Sequence, residues 1–247
     1  MPISSSVQFF DSQFQRQVTA GDLELNPFEA AALPYLKGRV LDFGCGLGNL
    51  AITAARKGCS VLALDASHTA IAHLQTVASK EKMPIEAAEA DLRAYQLNED
   101  FDTVVSIGLH MFFDCPTAFR QLTQLQARVR PGGTLAVNVL VEGTTFLEMF
   151  DTQGHCLFGR DEMRKRFAGW NILSCEYQDF PAPRDRVNSF ATLVANKPAL
   201  ASASPCFRLL QIAGQRGQGF WLNRHVRRVG GLVTAPLPPS TRPARPR

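Results

Sequence analysis

The residues best suited to chemistry lie in one short stretch, Val40-Leu41-Asp42-Phe43-Gly44-Cys45-Gly46-Leu47-Gly48-Asn49. Its apolar start reads as a strand, its glycines as a tight turn and Asn49 as the opening of a helix. That is the setting a nucleotide loop requires. Glycines turn the backbone sharply and let a ligand approach closely. Dinucleotide enzymes use G-x-G-x-x-G, with a pyrophosphate resting on the helix N-terminus. Here the spacing is G-x-G-x-G, preceded by Asp42. A carboxylate there repels a pyrophosphate but can orient a cationic amino-acid ligand, directly or through water.

Three companions accompany this loop. Asp65, followed by Ala66, ends a second apolar run 21 residues after Gly44. A carboxylate there can accept hydrogen bonds from both ribose hydroxyls. Ala90-Asp91-Leu92 ends a third run, where an Asp can accept from an adenine amino group. Arg130-Pro131-Gly132-Gly133-Thr134 precedes the most apolar run of the chain. Further candidates bear on an acceptor. His110 and Asp114 stand just past a β-rich run and can serve a hydroxyl or amine acceptor as bases. A soft selenium, tellurium or sulfur nucleophile needs little such help. Arg160 and Arg164 share a face of an expected helix over 160–168 and can clamp an anion. Each has a plainer reading. The glycines can serve a turn alone, Asp65 a solvated strand end, and Asp91 and Asp114 helix caps. His110 can be a satisfied core histidine, and the arginines a solvated face. Met111, Phe112 and Phe113 suit either a core or an apolar acceptor pocket.

The elements that must position these groups alternate. Strands are expected over 40–43, 60–65, 85–91, 101–107, 134–141, 171–180 and 189–196. Helices are expected over 28–36, 49–57, 67–81, 116–130 and 160–168. This rhythm reads as a doubly wound, mostly parallel α/β sheet with helices on both faces. The last two runs are eight residues apart, too few for a parallel crossover, so that pair is expected to be antiparallel. Residues 1–38 read as a helical lead-in, 39–198 as the catalytic domain and 199–247 as a basic tail.

Composition narrows the classes. The chain has 247 residues, 45% hydrophobic and 19% charged, which excludes a wholly disordered protein. No run of 18 apolar residues is present and the start has no secretory pattern, so a cytoplasmic protein is expected. All 22 acidic residues and 18 of the 26 basic ones precede residue 200, a net −4. The other eight, all Arg, lie in 201–247 with no acidic partner, so the pI of 8.8 belongs to the tail. That tail, rich in Arg, Gly and Pro, is expected to be disordered. Its arginines, with Phe220 and Trp221, suit RNA phosphates and bases. Six cysteines form no C-x-x-C pair, so reduced thiols and no metal site are expected. Gly154-His155-Cys156 is at most half a metal site, with no visible second half.

Together the loop and its companions resemble the class I methyltransferases that use S-adenosylmethionine, over about residues 26–197. The resemblance implies a Rossmann-like seven-stranded sheet with an antiparallel last strand. It implies that Asp42, Gly44, Cys45, Gly46, Gly48 and Asn49 surround the methionine and ribose. Asp65 and Ala66 then meet the ribose, and Ala90, Asp91 and Leu92 the adenine. Ser106, opening the stretch to Met111, stands beside the transferred methyl. Asn26-Pro27-Phe28, Phe167-Ala168-Gly169-Trp170 and Ser189-Phe190-Ala191-Thr192-Leu193 more closely resemble the tellurite-resistance (TehB-like) methyltransferases. That family implies a soft chalcogen nucleophile or an oxyanion as acceptor, with His110, Asp114 and Arg160 as catalytic candidates here. The family's usual His between the last two strands is missing, although Arg184 and Arg186 are there to face an anion. The expectation is methyl transfer to a small molecule by a monomer or homodimer without membrane contact. Its rivals are an RNA-directed methyltransferase or RNA-binding protein anchored by the tail, and an S-adenosylmethionine-binding protein without turnover.

Overall fold

A computed structural model of the chain describes residues 5–148, 150 and 154–199. Two helices lead in, α1 (Ser5–Ala20) and α2 (Pro27–Ala32). Then β1 (Arg39–Phe43), α3 (Asn49–Arg56), β2 (Ser60–Asp65), α4 (His68–Glu81) and β3 (Ile85–Glu89) alternate. β4 (Phe101–Ile107), α5 (Cys115–Arg128) and β5 (Val129–Leu140) follow. A short α6 (Glu162–Arg166) precedes β6 (Asn171–Ala182) and β7 (Arg186–Asn196). The strands form one sheet in the order β3-β2-β1-β4-β5-β7-β6. β1 to β5 are parallel, and β7 runs antiparallel between β5 and β6. This is the expected seven-stranded, mostly parallel Rossmann-like sheet.

The chain winds outward from β1 through β2 to β3, then crosses back to β4 on the other side of β1. Ligands of open α/β sheets bind at such a reversal, outside the carboxyl ends of the strands. Register brings the motif residues to that edge: Asp42 lies opposite both Ala63 and Val105, and Phe43 opposite Leu64. The interior strands are apolar on both faces, as a sheet covered by helices requires. Phe43, Phe101, Phe158 and Phe167 are fully buried. Each such side chain contributes about 1.5–3 kcal/mol.

Local signals set the boundaries. Ser67 caps α4 by accepting from the Ala70 amide, and Asp114 caps α5 by accepting from Thr117. Asn26 and Glu29 form a reciprocal capping box at α2. The expected helix over 28–36 instead divides, giving way at Leu33–Tyr35 to a 3-10 turn around Pro34. The expected helix over 160–168 shrinks to Glu162–Arg166, so Arg160 lies outside it. The final pair is antiparallel, but its connection is only Pro183-Arg184-Asp185, with Arg184 and Asp185 at positive φ. Both strands are therefore longer than expected, because their pairing continues past the apolar core into exposed sequence.

The expectation of six reduced thiols is corrected: Cys115 and Cys156 form a disulfide. Their separation of 41 residues hid this. The chain leaves β5, then returns through the Val141–Phe158 bridge, and Cys156 donates its amide to Met111. Cys45, Cys59 and Cys175 are free. No group of His, Cys, Asp and Glu among the described residues could hold a metal, and no described helix is long and apolar enough to cross a membrane. The tail readings fall outside the described residues.

Candidate active site

A cavity of about 470 Å³ opens at the carboxyl edge of β1, β2 and β4. The glycine turn forms its floor. The Gly44 and Cys45 amides donate to the Leu64 carbonyl at 2.8 and 3.0 Å, pinning the turn to the end of β2. Gly48 caps α3 at φ +77°, and a Cβ there would stand 2.5 Å from Leu74. A Cβ on Gly44 would reach 3.0 Å from Leu109. The turn thus needs glycine both for its conformation and for its space.

Two carboxylates face this turn. Asp65 accepts from the Gly46 amide at 2.8 Å and from the Ser67 amide at 2.9 Å, one on each oxygen. Each oxygen keeps a second lone pair for a ligand hydroxyl. Burial still raises its pKa, against these hydrogen bonds. Asp42 is buried, and its Oδ2 has no hydrogen-bond partner. Burial, then Glu29 and Asp65, push its pKa well above the carboxylate range. Glu29 is itself raised by burial, although it accepts from the Asn26 amide. Burying charge without a counter-charge is unfavourable. Arg93 is the one cationic side chain lining the cavity among the described residues, and it pairs with Asp91. The floor is therefore rich in carboxyl groups and short of a cation.

The roof comes from the lead-in. Phe10, Gln13 and Phe14 of α1 line the cavity, and Phe14 lies over Gly46. Asp11 latches α1 to the start of α4, accepting from Ser67 Oγ, Thr69 Oγ1 and the Thr69 amide at 2.6, 2.9 and 3.1 Å. The far wall is aromatic. Phe28 of α2 packs on Phe190 of β7 at 4.8 Å, and Phe10 meets Phe112 edge-on at 5.0 Å. Within this wall stands Asn138 of β5, fully buried. Its Nδ2 donates to Thr192 Oγ1 at 2.9 Å, and its Oδ1 has no partner.

The residues singled out from sequence fall into two groups. Asp42, Gly44, Cys45, Gly46, Asn49, Asp65, Ala66, Asp91 and Leu92 line the cavity. Gly48 and Ala90 are not among its lining residues. Ser106 and His110 are buried next to each other beneath its wall, with Oγ and Nδ1 3.3 Å apart. Ser106 donates to the Phe43 carbonyl, and His110 Nε2 has no partner. Burial lowers the His110 pKa to about 4, so the ring is neutral at pH 7. Asp114 is committed to its helix cap. Arg160 lies over Tyr177, and its carbonyl accepts from the Tyr177 hydroxyl. Arg184 and Arg186 both pair with Glu148. None of these four lines the cavity.

Glu29 and Asn138 are not singled out from the sequence, and Phe10 and Phe14 read there only as part of a helical lead-in packed on the body. The signals were faint: the N3 position of the capping box, a lone amide in an apolar strand, and the spacing of Phe10 and Phe14.

The methyltransferase domain family matches residues 40–133, the span from β1 to the turn of β5. Hemagglutinin 1 of Eikenella corrodens is 29% identical over 170 residues, 65% of this chain and 55% of its own. The probable S-adenosyl-L-methionine-dependent methyltransferase TehB of Haemophilus influenzae (strain 10810) is 24% identical over 168 residues, 64% of this chain and 57% of its own. The chain thus spans little more than half the length of either relative. The crystal structure of Haemophilus influenzae TehB shares the fold, with a TM-score of 0.62 and 21% identity over 70% of this chain and 62% of that one.

Proposed function

We propose that this chain, which carries a class I, TehB-like methyltransferase domain, binds S-adenosylmethionine in the cavity and passes its methyl group to a small-molecule acceptor. One observation carries the reading. The buried, unpartnered Asp42 oxygen stands beside a glycine turn and Asp65, in a cavity short of a cation. S-adenosylmethionine brings an ammonium, a ribose diol and a sulfonium to that place. Asp42 and Glu29 would then meet positive charge, Asp65 the ribose hydroxyls, and Asp91 with Leu92 the adenine.

When bound, the cofactor supplies an electrophilic methyl group on a positively charged sulfur. The chain's own residues have to orient and exclude water. The Gly44 and Cys45 amides hold the turn against β2 so that its backbone can approach the cofactor. α1, latched by Asp11, covers the turn and shields it from solvent. Phe10, Phe28, Phe112 and Phe190 make a dry acceptor side, where sulfonium attraction to ring faces also operates. His110, Asp114 and Arg160 are withdrawn as groups touching the acceptor, since they lie off the cavity. The TehB likeness offers a soft chalcogen nucleophile or an oxyanion as acceptor. The cavity favours a neutral nucleophile over an oxyanion, because no free cation lines it among the described residues. A cytoplasmic setting belongs to the same reading, and there reducing thiols keep the Cys115–Cys156 pair under challenge.

Calorimetric titration of S-adenosylmethionine into the full chain tests this. Micromolar binding, lost in Asp65→Ala, followed by S-adenosylhomocysteine release on an acceptor panel, is the expected result. A folded chain that binds no cofactor sinks the reading. Binding without turnover on any acceptor would leave a cofactor-binding protein. Retained turnover but salt-sensitive capture of RNA by the full chain would point to the tail.

A further inference from the structure

We infer that the acceptor is an amine: a nitrogen bearing N–H on an apolar, ring-containing body. The inference rests on the S-adenosylmethionine reading above and adds to it the class of the second substrate. Asn138 carries it. Asn138 lines the cavity, fully buried, and Thr192 takes the Nδ2 donor, so Oδ1 is the one polar atom of its side chain left without a partner. A buried carbonyl oxygen without a partner costs stability until something donates to it. A ligand N–H or O–H placed there would end that cost, and an amine N–H supplies one. Phe10, Phe28, Phe112 and Phe190 line the same cavity, and their rings ask for an apolar body.

Charge selects the amine over its rivals. Five carboxylates line the cavity, Glu24, Glu29, Asp42, Asp65 and Asp91, against Arg93 alone among the described residues. An oxyanion or carboxylate acceptor would enter that field uncompensated. The arginines that would serve it are spent elsewhere, Arg184 and Arg186 on Glu148. An alcohol would satisfy Asn138 but brings no positive charge to those carboxylates, and its proton would have to pass to one of them as it reacts. An amine needs no base during the transfer. Once its ammonium form has given a proton to water, the nitrogen lone pair forms the new C–N bond. The C–S bond breaks, and its electron pair stays on sulfur as the neutral thioether. Positive charge passes from sulfur to nitrogen and never leaves the carboxylate field. The methylated ammonium sheds its extra proton to solvent on release.

The test uses the full chain saturated with S-adenosylhomocysteine, whose own binding is measured first. Titration follows with 2-phenylethylamine, 2-phenylethanol, 3-phenylpropionate and selenite. The amine is expected to bind at least about tenfold more tightly than the other three, the difference one good charge-assisted hydrogen bond makes. With S-adenosylmethionine, mass spectrometry should then find the N-methyl product. Asn138→Leu should lower kcat/KM for the amine roughly ten- to a hundredfold. Asn138→Asp, which keeps an oxygen acceptor and the size of the side chain, should stay within a few fold. Neither change should move cofactor affinity. Equal or reversed ranking of the four, no binding by any of them, or full amine activity in a folded Asn138→Leu protein would overturn the inference. Failure of S-adenosylhomocysteine to bind would instead bring down the cofactor reading beneath it.

Discussion

The floor and the roof of the cavity are built on different principles. The floor is made of strand ends, where Asp42, Asp65 and the glycine turn are held by backbone amides and by the register of β1, β2 and β4. Its residues are close in sequence and its geometry follows from the sheet. The roof and far wall bring together α1, α2, β5 and β7, from Phe10 to Phe190, through aromatic packing and a few side-chain bonds. A cofactor shared by many enzymes can be held by a compact motif of this kind. An acceptor peculiar to one enzyme is held by elements that only tertiary packing joins. The two halves should therefore respond separately to substitution.

The largest expected effect tests the wall's anchorage. Cys115→Ser with Cys156→Ser removes a cross-link across 41 residues, worth up to about 4 kcal/mol by loop entropy. Denaturant unfolding should show that loss. The Met111–Phe113 wall just before Cys115 should loosen, raising acceptor KM more than cofactor Kd. A larger change in cofactor Kd would break the division between floor and wall. Next comes Asp65→Ala, which leaves the Gly46 and Ser67 amides without their acceptor and the ribose without its partner. Cofactor binding should weaken by roughly a hundredfold, the scale of two hydrogen bonds to a charged group.

Gly48→Ala should cost about 1–3 kcal/mol through its positive φ and the contact with Leu74, read as a lower Tm. Acceptor selectivity should not change. Asp11→Ala is smaller, about 1 kcal/mol for a half-buried latch. It should speed cofactor release several-fold in stopped-flow traces while the sheet keeps its Tm. The smallest effect concerns protons. Asp42 and Asp65 have pKa values raised by burial, so the folded apo chain holds protons that the unfolded chain has released. By linkage their burial favours folding only at low pH, and that contribution is lost as pH rises from the ordinary carboxylate value through the raised one. A cationic cofactor favours their charged forms. Its binding should therefore release a fraction of a proton and strengthen as pH rises through the same window. Calorimetry in buffers of different ionisation enthalpy measures this, and proton uptake would contradict it.

Much of the floor was legible because its determinants are local. Asp42 and Asp65 could be placed because a strand that ends in a carboxylate before a turn must present it at the sheet's edge. The antiparallel final pair followed from connection length alone. The acceptor half was not legible in the same way. His110, two residues past Gly108, was a reasonable candidate, yet the 3-10 turn at His110–Phe112 sends it inward against Ser106 and points Phe112 to the cavity. Arg160 looked like an anion clamp until the helix began at Glu162 and left its guanidinium on Tyr177. Periodicity cannot resolve a two-residue shift of that kind.

Sequence by itself determined the fold class, the antiparallel final pair and the sheet edge at which the cavity opens, because apolar periodicity, turn glycines and strand-end carboxylates act within a few residues of one another. Tertiary structure alone decided the rest. It closed Cys115 on Cys156 across 41 residues, turned Glu29 and Asn138 inward, and withdrew Asp114 and the arginines from the cavity. Those outcomes depend on which distant elements the sheet brings together, and no local pattern encodes that neighbourhood.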